Sequence, residues 1–311
     1  MGYFAEAEEW KDVEPIPLNE GGPNALAAIA YSDEYDEAMS YLRAIMAKNE
    51  MSDRAIDLTD AIIDSNPAHY TVWLYRAKNI LSLNKDLRAE VDWLNETALQ
   101  NLKNYQIWHH RQTIVNKLGS AEGEQDFIAR MLVKDAKNYH VWSYRQWLVR
   151  RFGLWEQGEL EAIEKLLADD VRNNSAWNHR WFIVFGNDAT NFSNKKILDR
   201  EFDYAKAAVH RAPQNQSPWN YLRGLVRHAQ LPPDTLKDFA AMFADPHKPD
   251  DVRSSHALDL LADIYAAEGG RDDAATALDL LATRYDPIRQ NYWNYRKSLL
   301  DAPAAAPIKT V

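Results

Sequence analysis

The sequence predicts an all-α protein, a solenoid of antiparallel helix hairpins, and three observations carry that expectation. Trp73, Trp108, Trp142 and Trp177 each open a W-x-x-R string, and they recur at a nearly constant spacing of about 35 positions. Such a period fits two helices and two turns, the unit of an α-solenoid. The segment before a string carries apolar residues at helical spacing, and an Asn stands where a second helix should start.

Taken in chain order, residues 1–24 come first and differ from the rest. Trp10-Lys11-Asp12-Val13-Glu14-Pro15-Ile16-Pro17 and Gly21-Gly22-Pro23 cannot comfortably continue a helix. An extended arm lying on another surface, such as a partner's, is expected there. From residue 25 the repeat domain begins. Ala55, Ile56, Leu58, Ile62 and Ile63 form a broad apolar face behind Ser52, a suitable N-cap, and Ile163, Leu166 and Leu167 repeat the pattern later. Second helices open after the polar turns Lys103-Asn104-Tyr105, Lys137-Asn138-Tyr139 and Arg172-Asn173-Asn174. Each Asn can accept from the free first-turn N–H groups. Trp219-Asn220-Tyr221-Leu222 follows Trp177 at a somewhat longer interval, with its Arg displaced to Arg223. Trp293 to Arg296 then restores the full string. The gap between Trp219 and Trp293 is about twice the period, so a degenerate copy is expected around His256 to Leu261, giving about seven repeats of ~35 residues in one curved domain over 25–301. Ala302-Pro303-Ala304-Ala305-Ala306-Pro307 marks a tail over 302–311. The tryptophans are expected to wedge between hairpins. Their arginines, i+3 on the same helix face, should bind carbonyls or carboxylates between repeats.

Composition narrows the function. The chain has 36 Lys and Arg against 46 Asp and Glu, a formal charge of −10, which disfavours nucleic acid or an anionic membrane as partner. Cysteine is absent, which removes disulfides, thiolate zinc sites and a Cys nucleophile and fits a cytoplasmic protein. The acidic start is no signal peptide, and Glu6 spoils a myristoylation context. No uninterrupted apolar run is long enough for a membrane span. There is no G-x-G-x-x-G, Walker A, G-x-S-x-G or H-E-x-x-H string. The nine His include the adjacent pair His109 and His110, which face different sides of a helix, so no metal site is expected. The mouths of the second helices stand out instead. Lys103, Tyr105 and Gln106, then Lys137, Tyr139 and His140, then Arg172, Asn174 and Ser175 hold equivalent places. Stacked repeats would line them along one rim that suits an anion such as a phosphate. Solvated loop cations on an acidic protein are the alternative, and the residues alone leave both open.

At these residues the sequence resembles the α subunits of protein prenyltransferases, whose repeats carry W-x-x-R in each second helix. The resemblance runs from Trp10-Lys11-Asp12-Val13 and Ile29-Ala30-Tyr31-Ser32 through Asn66 to Arg76, Lys103 to Arg111, Asp135 to Trp142, Asp170 to Asn178 and Ser217 to Leu222. Within the family the strings are most similar to the α subunit shared by protein farnesyltransferase and geranylgeranyltransferase type I, in a compact, fungal version. A Rab geranylgeranyltransferase α subunit and a non-catalytic tetratricopeptide-like scaffold are the alternatives. The resemblance implies a right-handed superhelical crescent wrapped around a β subunit. That β subunit would hold the catalytic zinc and most of the lipid pocket, with magnesium left open as a further cofactor. The reaction implied joins a farnesyl or geranylgeranyl group, from its isoprenoid diphosphate, to the cysteine of a C-terminal CaaX motif. By motif position Lys103 and Tyr105 resemble catalytic residues beside the diphosphate, and Asn138, Tyr139 and His140 match residues near it. Gln106 matches a glutamine that binds the peptide's terminal carboxylate, and Tyr70 a tyrosine near its last side chain.

Overall fold

A computed structural model describes residues 3–19, 21, 26–27 and 29–301. The tail expected over 302–311 lies outside the described residues. Among those described there is no strand. The chain divides into two compact units, Met1–Leu154 and Trp155–Val311.

In the first unit, α1 (Tyr3–Glu6) and a 3-10 turn at Glu8–Trp10 precede α2 (Asp33–Ala47). The hairpins follow: α3 (Asp53–Ser65) with α4 (Tyr70–Ser82), α5 (Leu87–Gln100) with α6 (Tyr105–Leu118), and α7 (Glu124–Lys134) with α8 (Tyr139–Phe152). The described part of the N-terminal arm lies on this chain's own α2 and α3. Phe4 and Trp10 pack on Tyr41, the Ile16 N–H donates to the Ser40 carbonyl at 3.0 Å, and Arg54 grips Asp12 at 2.6 and 3.0 Å. Helical turns occupy its first residues, and regular structure stops before Pro15 and Pro17, whose missing N–H groups forbid it.

The second unit continues with α9 (Glu159–Asp169) and α10 (Asn174–Phe185), then α11 (Lys195–Arg211) and α12 (Gln216–His228). The short α13 (Lys237–Ala241), α14 (Ser255–Glu268), α15 (Arg271–Leu280) and α16 (Gln290–Ser298) complete it. The degenerate copy is α14. Ser254 caps it in place of Asn, and Leu258, fully buried, stands where other repeats have Trp. Its first helix has shrunk to α13.

Three recurring devices hold the hairpins. Asn104, Asn138 and Asn173 cap the second helices as the sequence predicts, and Asn215 does the same for α12, each accepting from first-turn N–H groups. The tryptophan indoles of Trp73, Trp142, Trp177 and Trp219 donate to the carbonyl six residues earlier, at 2.8–3.0 Å. Burial of such rings, each worth roughly 150–250 Å² of apolar surface at ~25 cal/mol per Å², supplies much of the hairpin stability. The third device is ionic. Arg76 pairs bidentately with Glu90, Arg111 with Glu124 and Arg180 with Glu201, each Glu belonging to the next first helix. The same carboxylates take His110, Tyr144 and Tyr221 from the second helix after that, as Glu159 takes His179, at 2.6–2.8 Å. For Arg76, Arg111 and Arg180 the expected carboxylate partner is therefore a buried glutamate that joins three successive helices, whereas Arg296 pairs with Asp259 and Asp263 of α14.

Candidate functional site

Tyr70, Tyr105 and Tyr139 are the first residues of α4, α6 and α8, equivalent positions in three successive repeats of the first unit. They are 64%, 69% and 71% exposed. Large aromatic side chains left mostly in water at the same point of three repeats contribute little to the core, unlike the buried tryptophans of the same helices.

Lys103 lies in the turn between α5 and α6, one residue before the Asn104 cap. It is exposed, and its ammonium makes no ion pair among the described residues, although acidic groups outnumber basic ones on this chain. His140, the second residue of α8, reaches back to this turn. Its ring meets the Tyr105 ring edge-on at a centroid distance of 4.3 Å and the Tyr139 ring at 5.6 Å. Burial holds the His140 pKa below the ordinary histidine value, against the opposing effect of a hydrogen bond to the Lys103 backbone, so the imidazole is neutral near pH 7. Gln106 is half-buried, in the first turn of α6, where its own N–H donates to Asn104 Oδ1 at 2.7 Å. A surface depression lined by Ala68, Leu99, Gln100 and residues 101–106 runs beside the cluster.

The structure thus brings Lys103, Tyr105, Gln106, Tyr139 and His140 together at the facing starts of α6 and α8. Tyr70 stands one repeat earlier, beside the Pro67 turn that accepts a hydrogen bond from Asn104 Nδ2 at 2.7 Å. Asn138 is placed differently. It is buried, its oxygen accepts from the His140 and Val141 N–H groups, and its amide donates to the Leu102 carbonyl at 2.8 Å. Arg172, Asn174 and Ser175 occupy the equivalent turn of the second unit, where the Ser217 hydroxyl donates to Asn174 Oδ1 at 3.0 Å.

The donor set does not suit a zinc ion. The chain has no Cys, and among the described residues no three His, Asp or Glu side chains gather as a metal site would need. No described helix is long and apolar enough to cross a membrane.

Sequence reasoning missed two features. One is the residue two past each Trp, His110, Tyr144, His179 or Tyr221, which closes the buried carboxylate network. Its signal was a His or Tyr inside each Trp string with a Glu at one constant distance before it, as in Glu90, Glu124, Glu159 and Glu201. The other is the second use of the capping Asn, whose amide reaches the preceding repeat, and no sequence pattern marks which carbonyl it will find.

Comparison with known proteins accords with this geometry. The family described as protein prenyltransferase alpha subunit repeat matches residues 52–83, 87–118, 121–152, 156–186 and 198–229. The Candida albicans protein farnesyltransferase/geranylgeranyltransferase type-1 subunit alpha is 38% identical over 300 residues, covering 94% of this chain and 97% of that one. Its Schizosaccharomyces pombe counterpart is 51% identical over 226 residues, 73% of this chain and 75% of that one. The Dictyostelium discoideum counterpart is 36% identical over 310 residues, 95% of this chain and 94% of that one. Among solved structures, a chain of Candida albicans protein geranylgeranyltransferase-I complexed with GGPP superposes with a TM-score of 0.87 at 38% identity, covering 93% of this chain and 97% of that chain. Five matched repeats, and Candida and Dictyostelium relatives aligned over nearly their full length, leave one conclusion: this chain belongs to the protein prenyltransferase α subunits, and within them to the farnesyltransferase/geranylgeranyltransferase type-1 group.

Proposed function

We propose that Lys103, Tyr105, Tyr139 and His140 form this chain's share of the isoprenoid diphosphate site, and that Gln106 and Tyr70 receive the end of the peptide. The chain is the α subunit of an enzyme that prenylates CaaX proteins. Its partner in this proposal is a β subunit, to which the zinc is assigned because this chain has no Cys and its described residues offer no site for it. The solved Candida relative carries GGPP, and the names of the relatives span both farnesyl and geranylgeranyl transfer. A cytoplasmic location, consistent with a cysteine-free chain, belongs to the same proposal.

In the reaction, the sulfur of the CaaX cysteine bonds to C1 of the isoprenoid while the C1–O bond breaks. The electron pair leaves with the diphosphate. Negative charge therefore grows on the diphosphate oxygens in the transition state, and a cation fixed beside them stabilises that state more than the ground state. The observation that carries the assignment is the exposed Lys103 ammonium at the mouth of α6, with no carboxylate paired to it among the described residues and with the His140 ring packed beside its turn. The start of α6 adds the positive end of a helix dipole. Tyr105 and Tyr139 offer hydroxyl donors in the same place, and the His140 ring packs against both of their rings.

Single-turnover kinetics of a Lys103→Ala heterodimer test the proposal. Loss of a hydrogen bond to a charged group costs about 1.5–3 kcal/mol. At about 1.4 kcal/mol per factor of ten, the chemical step should slow roughly ten- to hundredfold. Diphosphate affinity should change less than the rate, and assembly should survive because the side chain makes no ion pair with its own chain. An unchanged chemical rate would leave Lys103 a solvated loop cation.

A further inference from the structure

Asn138 has spent its hydrogen-bonding groups on the fold. It is 4% exposed, its oxygen is shared by two N–H groups of α8, and its amide is taken by the Leu102 carbonyl. A diphosphate placed against Lys103 would meet little of it. What Asn138 does hold is the peptide plane that carries Lys103. The Leu102 carbonyl and the Lys103 N–H belong to one rigid, planar unit, so fixing the oxygen fixes the direction in which the chain enters Lys103. From the same end of α8 the His140 ring packs edge-on against Tyr105, two residues past Lys103, at a centroid distance of 4.3 Å. The start of α8 therefore grips the lysine turn at two points.

We propose that Asn138 is a positioning residue for prenyl transfer, acting through the Leu102 carbonyl to aim Lys103 and not by touching the diphosphate. This rests on the assignment of Lys103 made above. The same staple recurs where no site residue depends on it: Asn215 caps α12 and donates to the Val171 carbonyl at 2.7 Å. In general the bond joins neighbouring turns. Asn104 and Asn138 staple turns that hold proposed site residues, and Asn138 grips the residue directly before Lys103. A lysine stem is long and flexible, so a small rotation of its backbone displaces the ammonium by far more than it displaces the Cα. Misplacement by an ångström is enough to cost a reaction roughly a hundredfold.

Asn138→Gly isolates the staple. Glycine is a tolerable N-cap and brings no charge, but it removes the amide donor. In the heterodimer with its β subunit, single-turnover transfer should slow about tenfold or more, with isoprenoid diphosphate affinity nearly unchanged. The matched variant Asn215→Gly removes the same cap and staple in the second unit. It should lower the melting temperature by a similar amount and leave the transfer rate as it was. Asn138→Ser should recover most of the lost rate, because Ser254 at the same turn both caps α14 and donates to the Pro213 carbonyl at 2.6 Å. The decisive arm is Asn138→Gly in a Lys103→Ala background. If Asn138 works through Lys103, the double variant is slower than Lys103→Ala by less than about twofold. Full additivity would overturn the proposal and give Asn138 a contact of its own, as would equal slowing by Asn215→Gly. A Lys103→Ala enzyme of normal rate would instead overturn the Lys103 assignment, and the positioning role with it.

Discussion

Replacing Glu124 by Ala tests whether buried carboxylates hold neighbouring hairpins together. Glu124 is 1% exposed and takes Arg111 through two bonds of 2.8 Å and the Tyr144 hydroxyl at 2.6 Å. Arg111 is itself 1% exposed, and its remaining Nη1 has no partner among the described residues. The substitution therefore strands a whole guanidinium, with only the Phe127 and Tyr144 rings to face. Arg76 would fare better after Glu90→Ala, because it keeps Thr59 at 3.0 Å and Asp60. Removing one partner of a buried pair costs about 3–5 kcal/mol. For a unit of this size each kcal/mol moves the melting temperature by roughly 2–4 °C, so Glu124→Ala should lower it by roughly 6–20 °C. Differential scanning calorimetry of the heterodimer, at one protein concentration throughout, measures this. The double variant Arg111→Met/Glu124→Leu should recover much of the loss, since apolar groups of similar volume can replace a buried pair at little cost. A shift under about 2 °C for Glu124→Ala, or a double variant no better than the single one, would refute the reasoning.

Two further outcomes are expected. Gln106→Ala should weaken capture of CaaX peptide, and peptide amidated at its C-terminus should show little difference between wild type and variant; equal losses with both peptides would remove Gln106 from carboxylate binding. Acid should loosen the first unit, because burial, outweighing the hydrogen bond and charge of Glu90, holds the His110 pKa below 6.5. The unfolded chain then binds the proton more readily, so the contribution of neutral His110 is complete above pH 6.5 and declines as pH falls below it. Burial would raise the Glu90 pKa, but bonds from His110 and Arg76 more than reverse that, so its contribution persists to lower pH. His110→Gln should flatten the pH dependence of stability just below neutrality, and an unchanged profile would contradict the assignment.

The period of the Trp strings was enough to place the second helices from α4 to α16, because each Trp, and in most copies the Asn cap before it, is read directly from the chain. The degenerate sixth copy was legible only by its distance from its neighbours, since Leu258 and Ser254 replace the two diagnostic residues. The arginine partners were legible as a class and not as individuals. Glu90, Glu124 and Glu201 are marked in the sequence only by their constant distance before the His or Tyr of a Trp string, and the packing of neighbouring helices shows that they are buried. The arm over 1–24 was legible as a break in the helical pattern, but its seat on Tyr41 and Arg54 depends on tertiary contacts no local pattern encodes. At the site, Lys103, Tyr105, Tyr139 and His140 stood out because polar and aromatic residues recur at the helix mouths. The burial of Asn138 did not, because it holds the same place in its repeat as the half-buried Asn104.

As one half of a CaaX prenyltransferase, this chain is proposed to contribute Lys103 and its neighbours to a site completed by a β subunit. Co-expression with a CaaX-type β subunit, followed by transfer of labelled farnesyl or geranylgeranyl diphosphate to a CaaX peptide, measures it most directly. The heterodimer should label the peptide, a Rab–escort complex should remain unlabelled, and neither subunit alone should act. Labelling by the isolated α chain, or by the heterodimer only on the Rab–escort complex, would contradict the account.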